Sequence, residues 1–429
     1  MTTLILFATF LGCLVAGMPI LWTMGVATLA ALVFGDVSLP APWLAQQVIR
    51  GADSLYLTAI PLFLFSGELM NRGGITSRLI SLAQYLFGRF TGGLGVVNVA
   101  TAFVYGGISG SATADTSAVA KLMIPSMEKH GYPRSFSAAV TAASGTLGII
   151  LPPSVIFILY GVLTNTSIGG LFLAGVLPGV IIAIVFVITA ILIARRRGYR
   201  GVSSQKTFAE FGKDLIVALP AIGMPVFVLA AILSGFATAT EAAALSVVYA
   251  FITGVLVYRE LTLRETWEAI VETVSGTGAV MLIMAMATPF AWVLTVEQVP
   301  VYAADIITSV GAGPLGSIAL VIAILLFVGT WLDLGPAMIV LAPILAPVLL
   351  ASELEPYQIG VIFTVALGVG LYTPPVGTNL FVVCNVGKVS LSAVSRELIP
   401  FWIASAAILV ILVAFPSLSE WLPAQFGTR

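Results

Sequence analysis

Apolar residues in this chain do not alternate with polar ones; they run on. The stretch "GVIIAIVFVITAILIA", residues 179–194, carries a single hydroxyl and no charge. An amphipathic helix of a soluble protein would show a polar face every third or fourth residue. A membrane barrel would show segments of about ten residues with alternating polarity. Neither period is present, so the pattern predicts helices that are apolar all round and long enough to cross a bilayer. The N-terminal run "MTTLILFATFLGCLVAG" lacks a basic flank and reads as the first such segment, not as a cleaved signal.

Two of the long runs are broken in the same way. "GTLGIILPPS" (145–154) and "GVGLYTPPVG" (368–377) contain the two Pro-Pro pairs of the chain. Proline removes a backbone donor and costs about 3 kcal/mol inside a helix. The two breaks belong to an internal repeat. Pro152 and Pro153 align with Pro374 and Pro375 at 374 minus 152, a shift of 222, which also pairs Gly148 with Gly370 and Pro178 with Pro400. Asp115 meets Asp333, and Pro125 meets Pro343, at 218; "AIPLF" at Ala59 meets "ATPFA" at Ala287 at 228. The expected organisation is a first repeat over 1–197, a connector over 198–214 and a second repeat over 215–429.

Loop charges orient the copies, because Lys and Arg collect on the cytoplasmic side. Arg72, Arg78 and Arg89 follow the Pro61 segment, whereas Glu297 and Asp305 follow the Pro289 segment. Lys129, His130 and Arg134 follow Pro125, whereas Glu353 and Glu355 follow Pro343. After the Pro-Pro pairs the order reverses: "TNTSIGG" is uncharged, and its counterpart carries Lys388 and Arg396. The halves therefore have opposite topology, with the Arg195 cluster cytoplasmic and both termini on the other side. Inverted repeats with discontinuous helices belong to secondary transporters whose sites lie near the midplane.

Composition sharpens this picture only in places. The 429 residues are 59% hydrophobic and 9% charged, with mean hydropathy +1.11; soluble domains carry about 25% charged residues. A net charge of −1 offers no nucleic-acid surface. Cys13 and Cys384 lie in apolar runs and read as small hydrophobes. His130 is the single histidine, so neither a catalytic triad nor a multi-histidine metal site has material here, and no enzyme is expected. Trp43, Trp267 and Trp421 suit an interfacial belt, and Glu68 and Glu241 suit span ends.

Candidate chemistry gathers at the breaks. The run over 95–127 is too long for one span and is interrupted by "YGGISGSATADTSA", which predicts a re-entrant hairpin; irregular backbone at that depth must be covered by protein or line a wet cavity. A second hairpin is expected over about 317–350, and the broken helices over about 136–163 and 358–387. Each hairpin tip carries an aspartate, Asp115 or Asp333, and an ionisable group at membrane depth is a functional candidate. The plainer alternative is a helix N-cap before each return arm. Carbonyls freed by proline, hydroxyls and a carboxylate make an all-oxygen shell for a small hard cation. Two symmetry-related sites follow: Ser109, Ser111 and Asp115 with Gly145 and Gly148; Gly329, Thr330 and Asp333 with Gly368, Gly370 and Thr373. Na⁺ is the expected ion, with proton coupling as the alternative. Half-helix N-termini would hold an anionic substrate through backbone amides, beside Pro152, Pro153, Ser154, Trp331, Pro374, Pro375, Thr378 and Asn379. Lys121 on the first return arm is a weaker candidate, because a lysine there can snorkel.

The stretches "GGISGSATADTSAVAKLMIPSMEKHGYPRSFSAAVTAASGTLGIILPPS" and "GLYTPPVGTNLFVVCNVGKVSL" closely resemble the large membrane subunit of the tripartite ATP-independent periplasmic (TRAP) transporters. The resemblance covers nearly the whole chain. It implies an all-α elevator transporter in a bacterial inner membrane, with a transport domain sliding against a scaffold and uptake driven by a Na⁺ gradient. It also implies a separate small membrane subunit, a periplasmic substrate-binding protein, and a small organic acid as cargo: a C4-dicarboxylate, a sialic or other sugar acid, or a 2-oxo acid. The family's sodium-site serine and two aspartates match Ser109, Asp115 and Asp333. A stand-alone carboxylate symporter of similar architecture is the alternative; a channel or an intramembrane enzyme is the reading from another class.

Overall fold

A computed structural model describes residues 1–36, 42–54, 56–199, 201, 208–311 and 313–426, and among these every regular element is a helix. Much of the expected connector, residues 200 and 202–207, lies outside the described residues. The first repeat holds α1 (Thr2–Val15), α2 (Ile20–Phe34), α3 (Pro42–Ala52), α4 (Ala59–Arg72), α5 (Ile75–Phe87), α6 (Gly93–Ser109), α7 (Ala112–Lys129), α8 (Arg134–Ser144), α9 (Val155–Thr164) and α10 (Ile168–Arg197). The second holds α11 (Phe208–Leu233), α12 (Ala239–Ile252, prolonged by a π turn over Thr253–Tyr258), α13 (Leu263–Val296), α14 (Val299–Gly311), α15 (Pro314–Gly329), α16 (Leu334–Ala351), α17 (Pro356–Gly370), α18 (Thr378–Gly387) and α19 (Leu391–Ala414), followed by α20 (Ser417–Gln425).

Apart from the terminal α20, which has no counterpart among the described residues, the copies match element for element with one exception. Where the first repeat has α3 and α4, the second has the single 34-residue helix α13. The split lets α3 fold back across α13: Gly51 meets Thr288 and the Met284 carbonyl so closely that a Cβ would overlap both, and the Trp43 and Trp292 rings lie 4.4 Å apart.

Among the described residues six helices, α16 included, are long and apolar enough to cross a membrane, and α14 with α15 forms a pair bent by 115°. The helix α10 shows why. Ile182, Phe186 and Ala190 are buried on one face, while Ile184, Ile188 and Leu192 are exposed on the other. Both stripes are apolar, which is stable only where the outside is lipid. By length α16 also qualifies as a span, but a four-residue tip joins it to α15, and the two arms pack as a hairpin.

The hairpins are α6–α7 and α15–α16, and the broken helices are α8–α9 and α17–α18. The breaks begin in a 3₁₀ turn over Gly145–Ile149 and at Leu371, and both Pro-Pro peptide bonds are cis. Packing crosses between the copies: α9 lies on α16, and α18 lies on α7. Each return arm is thus covered by the second half of the other repeat's broken helix. Every residue from Phe136 to Gly161 and from Tyr357 to Gly368 is buried, so most of α8 and α9 and nearly all of α17 are shielded by protein, whereas α18 keeps an exposed side at Phe381 and Asn385. Outside this core, α4 packs on α12 and α13, and α2 packs on α13.

Two glycine-on-glycine contacts set the spacing inside the core. A Cβ on Gly106 of α6 would overlap Gly148, and a Cβ on Gly370 would overlap the Gly329 backbone. Overpacking of this kind costs about 1–3 kcal/mol. Gly370→Ala should therefore lower the melting temperature of the purified protein by several degrees. Gly276→Ala, on the exposed face of α13 with nothing within 4 Å, should leave it unchanged or slightly raised. Differential scanning fluorimetry of both variants measures the contrast.

Candidate functional site

The first hairpin tip, the first break and α4 meet around Asp115. The Asp115 carboxylate is fully buried in the first turn of α7. One of its oxygens accepts from the Ser109 hydroxyl, and Ser109 in turn receives the Ser111 amide at 3.2 Å. The other oxygen, Oδ2, lies against Gly148 and has no hydrogen-bond partner. One residue on, the Thr116 hydroxyl is equally buried and unpartnered, and it lies against Gly145. Gly145 and Gly148 stand one 3₁₀ turn apart, so two unsatisfied oxygens face two successive glycines. Leaving a buried acceptor unsatisfied costs about 1–3 kcal/mol each. The rest of the shell is close backbone: Gly110 against the Pro153 carbonyl, Gly107 near the Pro152 carbonyl, and Gly67 of α4 directly on Ser109.

Asn379 belongs here as well. It sits on α18, fully buried, and its amide donates to the Ala142 carbonyl at 3.4 Å while its Oδ1 has no partner. Ala142 lies one turn before Gly145. A residue expected at the substrate from the second repeat thus reaches into the first site. Thr116 and Gly106 were not anticipated; the only signal was the hydroxyl beside the aspartate in "ADTSA" and the double glycine of "YGGISG".

The second site is built differently. The Thr330 carbonyl accepts both the Val376 and the Gly377 amides at 3.2 Å, which ties the hairpin tip to the residues after Pro374-Pro375. Thr378 donates to Asp333 at 3.3 Å, but Asp333 and Trp331 are exposed, Trp331 by 56%. Gly370 touches Gly329 as described, whereas Gly368 faces Ile149 and Thr146 of the other break. Thr373 gives its hydroxyl to the Val369 carbonyl at 2.7 Å. The expected group around Asp333 is therefore drawn together only in part: Gly368 points across to the first break, because the two broken helices cross there.

The capping alternative is not realised. Asp115 lies inside α7 rather than before it, and Asp333 occupies the N-cap of α16 without a side-chain cap bond. By contrast Ser154 does cap: it accepts the Phe157 amide at 3.3 Å and donates to the Ile149 carbonyl. Its hydroxyl is spent inside the break, so it is not free for a ligand in this conformation. Of the four helix starts that follow the tips and the Pro-Pro pairs, those of α7, α16 and α18 keep their amides without a side-chain cap.

Two outlying features frame the site. Arg72 of α4 holds Glu268 at 2.9 Å and Glu272 at 2.7 Å on α13, beside Glu68. At the other end a cavity of about 1610 Å³ opens where α9, α16, α17 and α20 converge, with Asn165, Tyr357, Glu355 and Glu420 in its wall. The Glu420 carboxylate accepts the Gln358 amide at 2.9 Å at the start of α17.

An all-helical membrane chain with paired hairpins, paired broken helices and a buried oxygen cluster between them is a secondary transporter in architecture. The comparisons with known proteins give the family. Residues 7–418 match the family model "Tripartite ATP-independent periplasmic transporter, DctM component", and the chain belongs to that family. It is 37% identical to the sialic acid TRAP transporter large permease protein SiaM of Vibrio cholerae, over 97% of each chain. It is 34% identical to the isethionate TRAP transporter permease protein DctMQ of Oleidesulfovibrio alaskensis, over 96% of this chain and 65% of that one. Among solved structures, the Alcanivorax borkumensis YdaH transporter aligns with a TM-score of 0.61 at 14% identity, over 87% of each chain, a likeness of fold. The chain is a transporter component, not an enzyme.

Burial pushes the Glu420 carboxyl above the usual glutamate range; the Gln358 amide pulls it down and Glu355 pushes it up again. A carboxyl whose pKa is raised by folding favours the fold while protonated, and that contribution fades as pH climbs through the raised value. Glu420→Gln should therefore shrink the loss of thermal stability between about pH 4 and about pH 7 relative to wild type. Thermal melts across that range read it directly.

Proposed function

We propose that this chain is the large permease of a Na⁺-coupled, binding-protein-dependent importer of a small organic acid in a bacterial inner membrane. The observation that carries the sodium assignment is the buried, half-satisfied Asp115 carboxylate facing Gly148. Asp115, Ser109, Thr116 and the carbonyls of the first break offer the hard oxygen ligands that such a cation takes. An anionic carboxylate in a low-dielectric core is costly until a cation joins it. The empty transport domain is then poorly suited to move, and sodium binding relieves the charge. Asp333 with Thr378 and Thr330 is the proposed second ion site, reached from the open side of the second hairpin.

The organic acid is held by helix starts. The uncapped amides of α7 and α16 supply partial positive charge to a carboxylate, with Trp331 and Thr378 beside it. The cargo class is that of a C4-dicarboxylate, a sialic or sugar acid, or a 2-oxo acid. The hairpins and broken helices move together as an elevator against a scaffold of α1–α4 and α11–α13. Loop charges put the Arg195 end in the cytoplasm and both termini in the periplasm. A separate small membrane subunit braces the scaffold, and a periplasmic binding protein delivers the acid on the side of the large cavity.

Two measurements test this reading. Thr116→Val removes an oxygen and keeps the shape. Sodium-induced thermal stabilisation should weaken at least several-fold in apparent affinity in Thr116→Val and vanish in Asp115→Ala, with K⁺ inert in both. An unchanged sodium response in Asp115→Ala defeats the assignment. In proteoliposomes, uptake of the acid should require the binding protein, the small subunit and an inward Na⁺ gradient; uptake by this chain alone would favour a stand-alone symporter.

A further inference from the structure

The large cavity has a small counterpart at the opposite end of the molecule, related to it by the repeat. Ile124, Pro125, Arg134, Val386, Gly387 and Lys388 line a crevice of about 180 Å³ between α7, α8 and α18. The repeat carries Pro125 onto Pro343, Arg134 onto Pro356 at the shift of 222, and Asn165 onto Lys388 at 223; Asn165 and Lys388 are each the left-handed C-cap of their helix. Those three counterparts line the large cavity. The chemistry has not been kept with the shape: a proline and an asparagine on one side are an arginine and a lysine on the other.

The two cations are differently placed. Lys388 is exposed, and among the described residues its ammonium makes no hydrogen bond or ion pair, while its backbone amide donates to the Cys384 carbonyl. Arg134 pairs through Nε with Glu128 at 2.6 Å and turns Nη1 toward the Gly387 carbonyl at 3.5 Å, at the outer limit of a hydrogen bond. It opens α8, whose N-cap is Pro133 and which has no side-chain cap. The crevice therefore faces outward with an unpaired ammonium, a partly engaged guanidinium and helix-start amides, over a floor of Ile124, Pro125 and Val386.

What lies beside the crevice names the ligand. Seven residues back from Lys388 along α18 is Phe381, 51% exposed; on the packed neighbour α7, Leu122 is 44% exposed. Seven helical residues span about 10 Å. Leu122 and Phe381 are thus exposed apolar side chains on two packed helices that lead to a basic crevice, with Lys121 and Asn385 also exposed on those helices; apolar groups followed by a cationic end match a phospholipid from acyl chain to phosphate. A free phosphate would use the cations and leave Leu122 and Phe381 unexplained. Basic pockets between membrane helices on the cytoplasmic side recruit anionic headgroups.

We propose that this crevice binds the headgroup phosphate of an anionic phospholipid, with an acyl chain along Leu122 and Phe381. The site stands on this geometry; only its assignment to the cytoplasmic leaflet rests on the orientation proposed above. Because α7 and α18 come from different repeats, the lipid would bridge both halves of the core.

Native mass spectrometry and thermal melts of the purified full chain in neutral detergent test it, with three additives: phosphatidylglycerol, phosphatidylcholine of the same chains, and glycerol phosphate. Phosphatidylglycerol should be retained and protective; the other two should not. Lys388→Asn keeps a residue suited to the left-handed backbone found there, and should weaken phosphatidylglycerol retention about fivefold. Leu122→Gln should weaken it through the acyl side, and Arg195→Gln, away from the crevice, should not. Equal retention of phosphatidylcholine, or no effect of Lys388→Asn, overturns the site. Protection by glycerol phosphate equal to that by phosphatidylglycerol overturns the lipid assignment in favour of a soluble anion.

Discussion

Backbone amides and carbonyls at membrane depth have no water to turn to, and this constraint governs the whole molecule. The chain breaks four helices inside its core, at two hairpin tips and two Pro-Pro pairs, and then buries the breaks against one another. The Thr330 carbonyl takes the Val376 and Gly377 amides; the Ile149 carbonyl takes the Ser154 hydroxyl. Contact at Gly106–Gly148 and Gly329–Gly370 brings tips and breaks close enough for this to work. The crossed packing of α9 on α16 and α18 on α7 follows, because neither repeat alone can cover its own return arm. The long outer helices supply the lipid-facing wall that such a core needs.

Much of this was legible in the sequence because the breaks are made by residues with few other uses. Proline pairs and mid-span glycines announce their positions, and constant shifts between them reveal the duplication. The arms α6 and α7 bracket the expected 95–127, and α15 and α16 bracket 317–350. What could not be read was side-chain allegiance. Nothing in "TNLFV" says that Asn379 reaches the Ala142 carbonyl of the other repeat, since that contact depends on how two broken helices cross. Gly368 was misplaced for the same reason. Ser154 was expected to be free, and the local need of the Ile149 carbonyl claimed it. The split of α3 from α4 against an unbroken α13 is likewise invisible to a shift table, which aligns only the proline after the split.

Duplication did not produce two equal sites. Asp115 is sealed beneath α4, where Gly67 rests on Ser109, whereas Asp333 is open to its surroundings. The same carboxylate in two environments has two roles. The sealed one would carry a solvation penalty whenever it is ionised without a cation beside it; the open one keeps access to its surroundings. An inverted repeat generates this inequality whenever the core lies nearer one end of its scaffold, because covering one tip uncovers the other.

In the sodium-coupled mechanism proposed above, the same inequality gives direction to coupling. A carboxylate that is buried in one position and moves as part of a rigid core takes its charge along. If it moves unpaired, the desolvation cost follows it; if it moves paired, the pair is close to neutral and the barrier falls. On the proposed coupling, sodium would not push the core in either direction. It would remove the penalty that holds the core still, and the ion gradient would decide from which side that removal is more frequent. Backbone amides at the starts of α7 and α16 extend the proposal to the cargo: two sodium ions would balance the two aspartates, and the helix-start dipoles would offset the charge of the organic anion. A site made of helix ends and oxygens needs no lysine or arginine of its own, and a fixed cation there would have satisfied Asp115 permanently and abolished the need for the ion.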